Sequence, residues 1–129
     1  MSKKILVVDD EPFVLRSLTF VLGKHGYETV SAKDGREALK LIEEENPDLV
    51  FLDVMMPYLN GYEVCRKIRQ DLHKDDLYII MLTAKGQERD RKKGLAVGAN
   101  EFMVKPFSPS KVIQRVKEIL GSSPGIGGV

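Results

Sequence analysis

Leu49-Val50-Phe51-Leu52 is an unbroken apolar run that stops at a carboxylate, Asp53, and no other stretch limits the fold as much. Four consecutive apolar residues predict a strand buried on both faces. A parallel sheet covered by helices provides that environment, and a half-solvated antiparallel sheet does not. Pro57 and Asn60-Gly61 follow closely and predict a turn, so Asp53 is expected at the rim of the sheet, within reach of solvent.

A second such run, Ile5-Leu6-Val7-Val8, also ends in acids, Asp9-Asp10-Glu11, and predicts a first strand over residues 3–8. Pro12 suits the first turn of a helix, and Val14, Leu15, Leu18, Val21 and Leu22 repeat at helical spacing until Gly23 and Gly26. Glu28 to Ala32 is short and partly apolar, as an edge strand would be. Asp34 can cap a helix that buries Ala38, Leu39 and Ile42 and stops at Asn46-Pro47. After the strand ending at Asp53, a helix is expected from about Gly61 to Asp71, with Cys65 in the core.

Tyr78 to Leu82 is a strongly apolar fourth strand ending at Thr83. From Gln87 to Val97 the pattern is weak, because Glu88 to Lys93 is all charged and Gly94 costs about 1 kcal/mol relative to Ala inside a helix. This is expected to be the least anchored helix. Phe102-Met103-Val104 predicts a fifth strand leading to Lys105-Pro106, and Ser108-Pro109 starts a last helix with Val112, Ile113, Val116, Ile119 and Leu120 inward. Strands alternating with helices through short connections imply a three-layer α/β fold, doubly wound and flavodoxin-like, with a five-stranded parallel sheet and five helices. Placing the most apolar strands centrally gives the order 2-1-3-4-5. The switch point then lies between strands one and three, where Asp9, Asp10 and Asp53 meet. Residues 1–121 are read as one domain and 122–129 as a flexible tail or linker.

The balance of 20 basic and 19 acidic residues lacks the basic excess that holds a phosphate backbone, so direct nucleic-acid binding by this chain is not expected. The single Cys65 rules out an internal disulfide and fits a reducing cytoplasm. The apolar run after Lys3-Lys4 is too short for a signal-peptide core or a membrane span, so a soluble, untargeted protein is expected.

Two unit charges about 4 Å apart repel by about 4 kcal/mol at an effective dielectric of about 20, so three neighbouring carboxylates need a cation. The donors on offer are all oxygens, which indicates Mg2+ first and Mn2+ next. Such a site is completed by phosphate and suits phosphoryl chemistry. Lys105 and Thr83 can each hold a phosphoryl oxygen, Asp53 is the natural nucleophile, Asp9 and Asp10 would hold the metal, and small Ala84 leaves the phosphorus approachable.

Asp9-Asp10-Glu11, Leu52-Asp53-Val54-Met55-Met56-Pro57, Gly61, Thr83-Ala84, Gly98-Ala99 and Phe102 through Lys105-Pro106-Phe107 together resemble the receiver domain of two-component response regulators. The resemblance spans residues 3–120 and implies that Asp53 accepts a phosphoryl group from a sensor histidine kinase or a histidine phosphotransfer protein. It implies Mg2+ on Asp10, Asp53 and the backbone carbonyl of Met55, with Asp9 acting through a water. It further implies a switch in which Thr83 turns toward the phosphoryl group and Phe102 turns inward. The output face would be the fourth helix, fifth strand and fifth helix, read by a downstream effector, with phosphorylation-dependent dimerisation of a monomer as one form of output. Met55 and Lys85 would flank the route of attacking water, and their bulk is expected to slow hydrolysis. The chain would be no enzyme beyond its own phosphorylation and dephosphorylation.

Simpler readings stand beside these. The acidic triplet could merely complement a helix dipole, Phe102 could be ordinary core, and Glu88 to Lys93 a solvated helix face. His25 and His73 are assigned no role. Two other functions are open: a receiver-like interaction module working without phosphorylation, and an aspartyl-nucleophile phosphohydrolase of the haloacid dehalogenase type. The second fits poorly, because Met55 stands where that family places a second Asp.

Overall fold

A computed structural model of the chain describes residues 3–84 and 91–121. Five strands, β1 (Lys4–Val8), β2 (Glu28–Ala32), β3 (Leu49–Asp53), β4 (Tyr78–Ala84) and β5 (Glu101–Lys105), alternate with five helices. These are α1 (Pro12–Lys24), α2 (Gly35–Glu45), α3 (Gly61–Gln70), α4 (Arg91–Ala96) and α5 (Pro109–Leu120). The sheet is parallel throughout and ordered β2-β1-β3-β4-β5, as the apolar runs predict. Every residue of β3 is buried, whereas β2 at the edge has exposed positions.

Two cores flank the sheet because alternate strand residues point to opposite faces. Leu6, Val8, Val50, Leu52, Ile79 and Met81 pack with Ala38 and Ile42 of α2 and Val64, Cys65 and Ile68 of α3. On the other face Ile5, Val7, Leu49, Phe51, Ile80 and Leu82 meet Leu18 and Leu22 of α1 and Val112, Ile113 and Val116 of α5. Burying each of these large side chains favours folding by about 1.5–3 kcal/mol, so the central strands fix the sheet and the helices follow.

The helix starts obey their caps. Asp34 accepts from the Glu37 N–H at 2.9 Å, and the Ser108 hydroxyl accepts from the Lys111 N–H at 3.2 Å with Pro109 next in line. Asn60-Gly61 ends the loop after β3 and starts α3 at Gly61, where the sequence places the helix. Asn60 accepts from the Glu63 N–H at 2.9 Å while the Glu63 carboxylate accepts from the Asn60 N–H at 3.0 Å, a reciprocal cap that starts α3 at Gly61. A side chain on Gly61 would stand 2.6 Å from the Asp53 carbonyl oxygen and 2.9 Å from the Val54 α carbon, so only glycine lets α3 begin this close to the end of β3.

The described part of the fourth helix runs Arg91–Ala96, and the expected start at Gln87 lies outside the described residues. Gly94 is not the helix-weakening defect that propensity suggests. It is buried, and the ring of Phe102 occupies the space where its β carbon would be. The Arg91 guanidinium lies 5.8 Å from the centroid of the same ring. Tyr62 of α3 receives the Lys93 ammonium at 4.7 Å from its ring centroid, and the Cys65 thiol donates to the Val97 carbonyl at 3.4 Å. A short helix with little apolar surface of its own is thus seated on aromatic faces. Gly94→Ala should lower stability by about 1 kcal/mol or more, by overpacking against Phe102, although alanine is the better helix former. Urea denaturation measures this, and a stabilised variant would show that the ring yields without cost.

Candidate active site

The strand order reverses between β1 and β3, so their carboxyl ends open a crevice at the sheet's rim. Asp53 closes β3, and Asp9 and Asp10 follow directly on β1. Carboxylate oxygens of Asp9, Asp10 and Asp53 lie within 4.8 Å of one another. Asp9 is fully buried, Asp53 is 5 % exposed and Asp10 faces solvent. Lys105, the last residue of β5, reaches back across the end of β4. Its ammonium donates to Asp9 Oδ2 at 2.8 Å and stands 3.4 Å from Asp53 Oδ1.

Backbone groups orient these side chains. Asp9 Oδ1 accepts from the Glu11 N–H at 3.0 Å, which aims its other oxygen at Lys105. Asp53 Oδ1 accepts a long bond from the Met55 N–H at 3.4 Å. The Val54 N–H donates to the Leu82 carbonyl at 3.0 Å, continuing the β3–β4 pairing one residue past the nucleophile candidate.

The Asp53 carboxyl is pushed up to about 7, chiefly by burial and next by the Asp9 charge, against the opposing pull of Lys105 and the Met55 N–H. For Lys105, burial is the largest influence and favours the neutral amine. The hydrogen bond to Asp9 and the charges of Asp53 and Asp9 together outweigh it and hold the ammonium above its ordinary value. Three carboxyl groups share one ammonium here, so ionisation of the cluster leaves negative charge without a partner. An all-oxygen donor set with that deficit fits a hard dication of the Mg2+ or Mn2+ kind. Asp10 and Asp53 have the open positions to hold it, because Asp9 is already engaged by Lys105 and Glu11.

Thr83 is buried at the end of β4, and the next residue, exposed Ala84, pairs in register with Lys105. Both therefore flank the path of the lysine side chain. Met55 is 63 % exposed beside Asp53. Phe102 is not part of the cluster. It lies three residues before Lys105 on β5, half-buried against the α2–α3 core and Gly94. Lys85 lies outside the described residues.

One feature escaped the sequence reading. A groove of about 540 Å³ opens beside Lys105 and Ala84, walled by Phe13, Leu18, Pro106 and Phe107. Phe13 and Phe20 are 71 % and 69 % exposed and sit two turns apart on α1, off the stripe that Leu18 and Leu22 bury. Phe13, an aromatic outside the buried stripe, was the available signal for the groove. Among the described residues no helix is long and apolar enough to cross a membrane.

Comparison with known proteins agrees with this geometry. The alkaline phosphatase synthesis transcriptional regulatory protein PhoP of Bacillus subtilis (strain 168) is 52 % identical over 95 % of this chain and 50 % of its own length. The probable transcriptional regulator ycf27 of Cyanophora paradoxa is 51 % identical over 92 % of this chain and 48 % of its own. The chain thus spans about half the length of these curated relatives. The chemotaxis protein CheY4 of Vibrio cholerae superposes with a TM-score of 0.87 at 32 % identity, covering 93 % of this chain and all of that one. A receiver domain protein from Methanospirillum hungatei superposes at 0.86 with 31 % identity, over 93 % of this chain and 94 % of its own. The response regulator receiver domain model matches residues 5–117, and with the acidic crevice at the β1–β3 switch point this makes the chain a member of the response regulator receiver family of two-component signalling.

Proposed function

We propose that the chain is a phosphorylation-dependent switch in which Asp53 accepts a phosphoryl group from a sensor histidine kinase or a histidine phosphotransfer protein. The observation that carries this reading is the sharing of one ammonium, that of Lys105, between Asp9 and Asp53 in a cluster of three carboxylates. Asp10, Asp53 and the Met55 carbonyl would hold Mg2+ or Mn2+, with Asp9 acting through a water. When bound, the cation supplies charge neutralisation for the phosphoryl oxygens.

The steps belong to the side chains. An Asp53 oxygen attacks phosphorus in line as the phosphorus–nitrogen bond of the donor histidine breaks, and that electron pair returns to the imidazole. The product is an acyl phosphate on Asp53, later hydrolysed to the carboxylate and inorganic phosphate. Lys105, already 3.4 Å from Asp53, supplies positive charge to one phosphoryl oxygen, and the Thr83 hydroxyl donates to another. Ala84 leaves the phosphorus open to approach. The chain in this reading catalyses only its own phosphorylation and dephosphorylation, in the cytoplasm.

Thr83 moving toward the phosphoryl group would free space for Phe102 to turn inward from its seat on Gly94 and alter the α4–β5–α5 face. That face carries the Arg115–Glu101 ion pair, with bonds of 2.9 Å from Nε to both carboxylate oxygens. A downstream effector, or a second phosphorylated copy, would read it. We read residues 1–121 as the receiver and 122–129 as a tail or linker.

Intact mass after incubation with acetyl phosphate tests the chemistry directly. The wild type should gain one phosphoryl group only with Mg2+ present, and Asp53→Asn should gain none. An unmodified wild type, or a variant that is modified equally, would favour an interaction module working without phosphorylation. Met55 and Lys85 are proposed to shield the acyl phosphate from water. A Met55→Asn, Lys85→Glu double variant should therefore lose its phosphoryl group several-fold faster, and an unchanged half-life would remove that role.

A further inference from the structure

Tyr58 holds a backbone conformation that aromatic residues rarely adopt. Its φ is 69°, in the left-handed region where a β carbon crowds the following carbonyl. The side chain is 74 % exposed, so burial in a core does not hold it there. Its ring instead meets Arg36 in the first turn of α2, whose guanidinium carbon lies 4.7 Å from the ring centroid. That distance makes a cation–π stack.

The same turn of α2 grips the next residue of the loop. A side chain on Gly35 would stand 2.7 Å from the Leu59 β carbon, so Leu59 packs directly against the helix start. Beyond it, Asn60 is fixed by its reciprocal cap with Glu63. At the other end of this loop the Met55 N–H donates to Asp53 Oδ1 at 3.4 Å. Met55, Pro57 and Tyr58 between these anchors are exposed, and Met56 is half-buried. The path of the chain from Asp53 to α3 therefore depends on contacts made from α2.

We propose that Arg36 is a positioning residue for the metal site, its stack on Tyr58 holding the β3–α3 loop that carries Met55, whose N–H bonds Asp53. The inference rests on the proposed metal-assisted reading of that site. The sign of the effect separates positioning from simple electrostatics. Through space, an Arg36 cation repels a second cation, so its removal alone would tighten Mg2+ binding. If the stack shapes the loop, removal weakens binding instead.

Mg2+ titration followed by calorimetry and by backbone amide shifts decides between them. Arg36→Ala and Tyr58→Leu should each weaken Mg2+ binding about three-fold, the scale of an exposed cation–π contact. The double variant should be no weaker than either single variant, because both remove one contact. Tyr58→Phe should bind as the wild type does. Mg2+ affinity that is unchanged or tighter in Arg36→Ala overturns the proposal, as does strict additivity, or a melting temperature that falls with no change in affinity. If the wild type fails to bind Mg2+, or Asp53→Asn binds it equally well, the metal reading of the site fails and the inference falls with it.

Discussion

The ammonium of Lys105, held 2.8 Å from Asp9 and 3.4 Å from Asp53, is the contact on which the site depends. Without it two buried carboxylates would face each other at the end of the sheet with no compensation. With it they are only partly balanced, and Asp53 remains pushed up to about 7, mainly by burial. A group raised in this way contributes stability that is complete below the ordinary carboxylate range of about 4 and is lost as the pH rises toward 7. At neutral pH the fold therefore holds its candidate nucleophile at a cost. A bound dication is the species that would offset it.

The sheet is what makes this arrangement possible. Lys105 reaches Asp9 only because β5, β4, β3 and β1 are consecutive in the sheet, so four strand ends share one rim. Gly61 tightens the same corner by letting α3 start against the Asp53 carbonyl. Charge at the rim and helix positions on the faces are coupled through backbone, with Val54 bonded to Leu82 on one side and Gly61 bonded to Val54 on the other. The α4 side is held differently, by the Phe102 ring on Gly94 and the Lys93 ammonium over Tyr62. Contacts of that kind exchange more readily than a buried strand, which suits the output role proposed for this face.

Much of this was legible in the residues. The runs Ile5–Val8 and Leu49–Leu52 each end in acids, and a parallel strand buried on both faces has few other ways to present a carboxylate. Asp34 and Ser108 declared their helices because a cap is a local interaction. What the sequence hid was tertiary. Gly94 read as a helix weakness because propensity takes no account of a ring 8 residues away that needs its space. The helix from Gly61 was expected but its reciprocal cap was not, because the capping partner, Glu63, is a helical residue only once α3 exists. The left-handed Tyr58 and its stack on Arg36 left no local signature at all, since the two lie 22 positions apart with a strand between them.

The electrostatic deficit is tested most directly by thermal unfolding of the wild type and Asp53→Asn at about pH 8, in chelator and in excess Mg2+. Asparagine removes one of three crowded charges. In chelator the variant should melt above the wild type by about 4 °C or more, the shift expected for roughly 1 kcal/mol in a small domain. Mg2+ should raise the wild type more than the variant and close most of that gap. A variant that melts lower in chelator, together with a wild type indifferent to Mg2+, would contradict the claim that the cluster is short of positive charge.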